Sequence, residues 1–150
     1  MLKNIHPLLV PDLLHALASM GHGDEVAIVD ANFPSAALGK RVIGLPGVNA
    51  PQALEAILTV FPLDQAVEPA LFTMQVTGDP NAVPDPVADC AALLTRLDLA
   101  DAEIGTLDRH VFYERARQAF VVVRTGELRA YGNLLLVKGV VNRYYAPGGP

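Results

Sequence analysis

Apolar residues along this chain fall into short runs with two different periods. After Pro11-Asp12, Leu13, Leu14, Leu17 and Met20 recur at three- and four-residue spacing, which predicts a first helix stopped by Gly21. Glu25 to Asp30 (Glu-Val-Ala-Ile-Val-Asp) is too short and too β-branched for a helix and predicts a buried strand. Ala31 to Gly39 carries no charge and contains Pro34, so a loop is expected there. Val42-Ile43 predicts a short strand. Asn49 to Phe61 predicts a second helix, with Leu54, Ile57 and Leu58 facing inward and Pro62 ending it. Leu71 to Thr77 is a further strand, stopped by Gly78-Asp79-Pro80. Pro84 or Pro86 opens a helix that runs through Leu97, because proline suits a first turn. Glu103 to Leu107 predicts a strand, and Asp108 caps a helix containing Phe112, Tyr113, Glu114 and Arg117. Ala119 to Arg124 and Leu134 to Val137 are the last two strands, with Thr125-Gly126-Glu127 as the turn after the first of them.

Strands alternating with helices predict a single three-layer α/β/α domain with a mixed, mostly parallel sheet. The last connection is short and has no helix, so one antiparallel pair is expected. The domain spans residues 1–145, and the tail Ala146-Pro-Gly-Gly-Pro150 is expected to be flexible.

Composition narrows the function classes. The 150 residues are 51% hydrophobic and 18% charged, which excludes a disordered chain. Eleven Lys and Arg against sixteen Asp and Glu give a formal charge of −5, and this argues against nucleic acid as a partner. Mean hydropathy is positive, at +0.31. Gly, Pro or a charge nevertheless interrupts every apolar stretch before the roughly 18 residues of a membrane span. A chain this small has much surface and little charge to cover it, so part of that surface is expected to be buried against further copies of itself. One cysteine, Cys90, makes no internal disulfide and no Cys-rich zinc site, and it is expected to be a small apolar helix residue. Pro7, Pro11 and Asp12 break any signal-peptide core, which points to the cytoplasm.

No P-loop, GxGxxG, GxSxG or HExxH motif is present. Candidate chemistry rests on single residues. His22, between Gly21 and Gly23, is either a surface loop residue or helix cap, or a general acid–base, because imidazole titrates near neutrality. Asp30 either caps a turn or faces a ligand crevice, since ligands gather outside the carboxyl ends of strands in open α/β sheets. In the crevice reading, Ala31 to Pro34 line it. Tyr131-Gly132-Asn133 offers an aromatic wall and hydrogen bonds to hydroxyls, or simple turn chemistry. Arg109 is a helix-surface charge or a clamp on a polar ligand. His6, His15 and His110 are ordinary surface or boundary residues, no His/Asp spacing makes a strong metal site, and Arg115 and Arg117 with Glu114 form a solvated helix face.

Taken in order, these pieces resemble the ribose pyranase and L-fucose mutarotase family of sugar mutarotases. The anchors are Gly21-His22-Gly23-Asp24-Glu25, Asp30-Ala-Asn-Phe-Pro34, Phe112-Tyr113-Glu114-Arg115 within Arg109 to Ala116, and Thr125-Gly126-Glu127 followed by Tyr131-Gly132-Asn133. The Phe-Tyr-Glu-Arg and Tyr-Gly-Asn pieces, with Arg109 where ribose pyranases carry histidine, favour the fucose branch. The resemblance implies a mutarotase that interconverts the α and β anomers of L-fucose or a related monosaccharide. Its alternatives are a D-ribose pyranase-type enzyme and a non-catalytic sugar-binding or transport-accessory protein. It implies His22 as catalytic proton donor and Asp30, Arg109, Tyr131, Gly132 and Asn133 as sugar-binding residues. No cofactor or metal is needed. It also implies a ring-like homo-oligomer, a decamer, with clefts at subunit boundaries. The spacing bears on that last point: His22 and Asp30 flank a strand that spans roughly 17 Å at about 3.3 Å per residue. They are therefore expected at opposite ends of the strand, and the site is expected to lie between subunits. Residues Asn32 to Leu38 are among those expected to set the choice of sugar.

Overall fold

A computed structural model describes residues 2–141, so the expected flexible tail, 146–150, lies outside the described residues; within them are five helices and six strands. They are α1 (Pro11–Ser19), β1 (Glu25–Val29), α2 (Ser35–Leu38), β2 (Val42–Leu45), α3 (Ala50–Leu58), β3 (Leu71–Met74), α4 (Asp85–Arg96), β4 (Ile104–Leu107), α5 (Arg109–Gln118), β5 (Val121–Thr125) and β6 (Leu134–Val137). The strands form one sheet in the order β2-β5-β1-β6-β3-β4. The β1–β5, β2–β5 and β3–β4 pairs are parallel, and β6 runs antiparallel to both its neighbours, β1 and β3. The carboxyl ends of β1 to β5 therefore share one edge of the sheet, and β6 begins there.

Side-chain alternation in the central strands builds two cores. Val26 and Ile28 of β1, Val121 and Val123 of β5, and Leu134 and Leu136 of β6 point to one face, where α1, α3 and α4 pack. Ala27 and Val29, Val122 and Leu135 point to the other, against α5 and Phe33. Strands covered on both faces carry continuous apolar runs, which is why Val-Val-Val and Leu-Leu-Leu appear where a one-sided sheet would alternate. The α/β/α layering with a mostly parallel mixed sheet agrees with the sequence pattern. Helix ends follow local chemistry as well. Asn49 and Gln52 form a reciprocal capping box at α3, and Asp108 Oδ1 accepts the His110 N–H at 2.8 Å to start α5.

Several expectations need correction. Ala31 to Gly39 is not all loop: Ser35–Leu38 closes one helical turn, with the Gly39 N–H bonding to the Ser35 carbonyl. The strand from Leu71 ends at Met74 rather than Thr77, because Val76 and Asp79 close a tight turn over Gly78 at φ +84°. Helix α3 ends at Leu58, three residues before Phe61. The short last connection is not a hairpin. It carries the chain past β1, so β6 makes two antiparallel pairs and neither is with β5. Arg115 is not on a solvated face: it pairs with Glu25, and its guanidinium lies 4.0 Å from the Phe72 ring centroid. Arg117 and Glu114 do pair in the open, as their spacing implies. Cys90 is buried in α4, and burial, with Asp89 and Glu127 nearby, pushes its thiol up to about 12, so it is inert near neutrality.

The turn after β5 packs tightly at Gly126 against the segment that follows β2. A Cβ there would stand 2.0 Å from the Pro46 carbonyl oxygen, whereas one at Gly44 of edge strand β2 would meet nothing within 4 Å. Gly126→Ala is expected to destabilise by about 1–3 kcal/mol or more, as overpacking does. Gly44→Ala should be neutral or slightly stabilising. Urea unfolding of the two variants checks this, and equal midpoints would contradict the close packing at Gly126.

Candidate functional site

Asp30 follows β1 at the carboxyl edge and is almost fully buried. Asn133, one residue before β6, holds it from both sides. The Asn133 Nδ2 donates to Asp30 Oδ2 at 2.9 Å, and its Oδ1 accepts the Asp30 N–H at 3.0 Å. The other carboxylate oxygen accepts the Asn32 N–H at 3.0 Å. The carboxylate is thereby fixed in rotation, with lone pairs left to face an open cleft of about 240 Å³. Asp30, Asn133, Arg109 and Tyr131 all line this cleft. Arg109 is the first residue of α5, placed at the edge by the Asp108 cap, and its guanidinium sits 5.2 Å from the Tyr113 ring centroid. Phe33 meets Tyr113 edge-on at 5.2 Å, and with Met74 these rings give the cleft an apolar side.

Tyr131 stands in the left-handed region at φ +63°, which turns its side chain over the cleft. Its Oη accepts the Thr77 N–H at 3.2 Å. Hydrogen bonding from Thr77, helped by the Arg109 charge, holds the phenol below its usual value against the opposing effect of burial. Gly132 is buried but lies outside this cleft. A Cβ on it would approach Glu127 Cγ to 2.7 Å, so its bareness makes room for a neighbouring side chain rather than for a ligand.

His22 is elsewhere, at the opposite edge of the sheet. Its loop is pinned to the end of β6: the Gly23 N–H bonds to the Lys138 carbonyl at 2.8 Å, and the Lys138 N–H bonds to Asp24 O at 2.9 Å. The Lys138 ammonium donates to the Leu17 and Met20 carbonyls at the end of α1. The His22 ring is half exposed, and its Nε2 lies 2.9 Å from Oδ2 of Asp64, whose side chain is only 5% exposed. The Ala66 N–H donates to the other Asp64 oxygen at 2.9 Å. That bond, followed by the interaction with His22, outweighs burial and holds the Asp64 carboxyl below its ordinary range. A histidine with one nitrogen fixed on an anchored carboxylate has its other nitrogen oriented for proton transfer. Within one chain this pair does not reach the Asp30 cleft, because β1 separates them.

Sequence reading thus brings four of its six candidates together and leaves His22 and Gly132 apart. It missed Asp64, forty-two residues from His22, along with Thr77, Met74 and Tyr113 as cleft residues. Tyr113 lay inside a motif already singled out; Asp64 carried no local signal. Among the described residues, no three His, Cys, Asp or Glu side chains group as a metal ion would need, and no helix is long and apolar enough to cross a membrane.

Fold and site together define an α/β domain with a polar, aromatic-walled cleft over the carboxyl edge of its sheet and a separate His–Asp pair at the other edge. Residues 3–141 match the model of the RbsD / FucU transport protein family, and the chain belongs to that family. It is similar to the fucose mutarotase of Streptococcus pneumoniae, solved in complex with L-fucose, with 39% identity and a TM-score of 0.86 over 94% of this chain and 100% of that one. FucU from Bifidobacterium longum is 43% identical, with a TM-score of 0.84 over 93% of this chain and all of the other. RbsD of Bacillus subtilis, solved with D-ribose, shares the fold at 23% identity and a TM-score of 0.71 over 95% of this chain and 100% of that one.

The anchored carboxylates set an acid limit on stability. Asp64 and Glu127 have lowered native values, Glu127 chiefly through its hydrogen bonds from Arg129. Their contribution is therefore complete above the ordinary carboxylate values of 3.8 and 4.5 and is lost as pH falls through the lowered native ones. Urea unfolding from pH 6 downward, with the steps taken about half a unit apart, should show falling stability. The Asp64→Asn, Glu127→Gln double variant should show a flatter profile, and an equally steep one would contradict the assignment.

Proposed function

We propose that the protein is a monosaccharide mutarotase that interconverts the α and β anomers of L-fucose or a related sugar. The observation that carries this reading is the meeting of Asp30, Arg109, Tyr131 and Asn133 in one cleft of about 240 Å³. The likeness to a fucose mutarotase supports it. Anomer exchange opens the hemiacetal ring: a proton leaves the anomeric hydroxyl as another reaches the ring oxygen, the aldehyde rotates, and the ring recloses on its other face. Asp30 accepts sugar hydroxyls, Arg109 donates to them, and Tyr131 closes over the ring. Asn133 keeps the Asp30 carboxylate aimed. His22 is the proton donor: as the imidazolium it gives its Nδ1 proton to the ring oxygen while water takes the proton leaving the anomeric hydroxyl, and both return when the ring recloses. Asp64 holds its Nε2 side, so that Nδ1 faces the sugar.

Because β1 separates His22 from Asp30, the working site takes His22 from one copy and the cleft from the next. Apolar side chains exposed on segments that border the cleft, Val83, Val111 and Leu128, support a partner there. A closed ring of copies, a decamer, satisfies this head-to-tail contact without leaving open ends. Gly132 serves the site by packing rather than by touching the sugar.

Saturation-transfer NMR of anomer exchange across a panel including L-fucose and D-ribose tests the reaction and the substrate. The wild-type protein should accelerate exchange of L-fucose, and His22→Ala should lose roughly 10²–10⁴-fold, the usual worth of a positioned acid–base group. Faster exchange of D-ribose would move the protein to the pyranase branch. Sugar binding with no exchange would make it a binding or transport-accessory protein. Shared sites predict complementation: His22→Ala and Asp30→Asn chains, each inactive, should regain activity when unfolded and refolded together. Continued inactivity of refolded mixed oligomers would place each site within a single chain.

A further inference from the structure

The segment from Gly126 to Asn133 has no regular secondary structure, yet it carries three cleft residues, Ala130, Tyr131 and Asn133. An ion-pair network that the sugar chemistry does not use ties it to its neighbours. Glu127 is only 3% exposed. Arg129 grips it with a fork, Nε to Oε1 and Nη2 to Oε2, both at 2.9 Å, while the Arg129 N–H also donates to Oε1 at 3.0 Å. The third guanidinium nitrogen reaches Asp89 Oδ2 on α4 at 2.7 Å. The Ala50 N–H, at the start of α3, points to Glu127 Oε2 at 3.4 Å. Gly132 has no side chain to displace Glu127 Cγ. A guanidinium fork restrains direction as well as distance, which a lysine ammonium does not.

Tyr131 follows two residues later. A tyrosine keeps a left-handed backbone only where its surroundings hold it there. We propose that Arg129 is a positioning residue for the sugar cleft: by clamping Glu127 and Asp89 it ties the β5–β6 loop to α3 and α4 and so sets the place of Tyr131. Its effect on sugar binding rests on the mutarotase reading; its effect on Tyr131 does not. Arg129 itself does not line the cleft.

The first measurement therefore needs no sugar. With ring-labelled tyrosine, the Tyr131 phenol is titrated by NMR in wild-type, Arg129→Met and Arg129→Lys proteins. Release of the loop loosens the Thr77–Tyr131 hydrogen bond, so the phenol should titrate higher in both variants, including the lysine variant, which keeps the charge and loses the fork. The second measurement is sugar affinity and exchange. Arg129→Met should weaken L-fucose binding roughly 3- to 30-fold, a range usual for coupled neighbours, with the exchange rate at saturation little changed. In a Tyr131→Ala background the same substitution should have no effect on affinity. If Arg129→Met leaves Glu127 unpaired and does not fold, the Glu127→Gln, Arg129→Met pair removes the orphan charge and is measured instead. An unmoved phenol in the methionine variant, a wild-type phenol in the lysine variant, or an undiminished affinity loss without Tyr131 overturns the proposal. A wild-type protein that binds no sugar would overturn the mutarotase reading, and the phenol titration would still decide the role of Arg129.

Discussion

Both chemical centres depend on β6 lying antiparallel between β1 and β3. At its start this strand delivers Asn133 to Asp30, and the resulting pair of hydrogen bonds orients the cleft carboxylate. At its end Lys138 pairs with Leu63 and bonds to Gly23 and Asp24, which brings Asp64 under the His22 ring. One short strand, Leu134–Val137, thus sets the geometry at both edges of the sheet. A slip of one residue would exchange its faces and misplace both partners at once. That is a strong reason for four fully apolar residues at this position, buried on both sides by the two cores.

Apolar burial supplies the driving force, and the polar groups supply the direction. Each buried acidic group at the sites has its own donors: Asp30 has Asn32 and Asn133, Asp64 has Ala66 and His22, and Glu127 has Arg129 and Ala50. Among the described residues no buried side-chain polar atom lacks a partner. A buried carboxylate without such partners is costly, so these pairs hold the loops in one arrangement more firmly than apolar contacts would. The loops that carry Asp30, Asp64 and Glu127 are consequently tied by side-chain bonds. The excess of apolar residues over charges in so small a chain is met partly by the two internal cores. Others, including Val83, Val111 and Leu128, stay on the surface of the single chain.

Much of the fold was legible locally. The helices at Pro11, Asn49, Pro84 and Asp108 start where capping or first-turn chemistry predicts, and all six strands lie within predicted runs or overlap them. The misses have physical causes. One turn of helix at Ser35–Leu38 is too short to show a period. The place of β6 could not be inferred from its short connection, because a short link usually makes a hairpin and here it crosses β1. Candidate residues flanking strands at the carboxyl edge were recoverable because parallel strands gather their ends there. Asp64 was not, because only the β6 pairing brings it to His22.

The amino-acid pattern by itself determined the layers, the two-sided burial of the central strands, and the separation of His22 from Asp30, since all of these follow from residue period and the fixed rise of a strand. The tertiary structure alone decided which polar groups meet: Asn133 with Asp30, Asp64 with His22, and Arg129 with Glu127 and Asp89. Each of these three groupings joins residues dozens of positions apart, and the local Arg129–Glu127 pair is anchored to α4 through Asp89. Such contacts depend on strand order and on the path of one loop, quantities set by the packing of the whole chain and by no local run of residues.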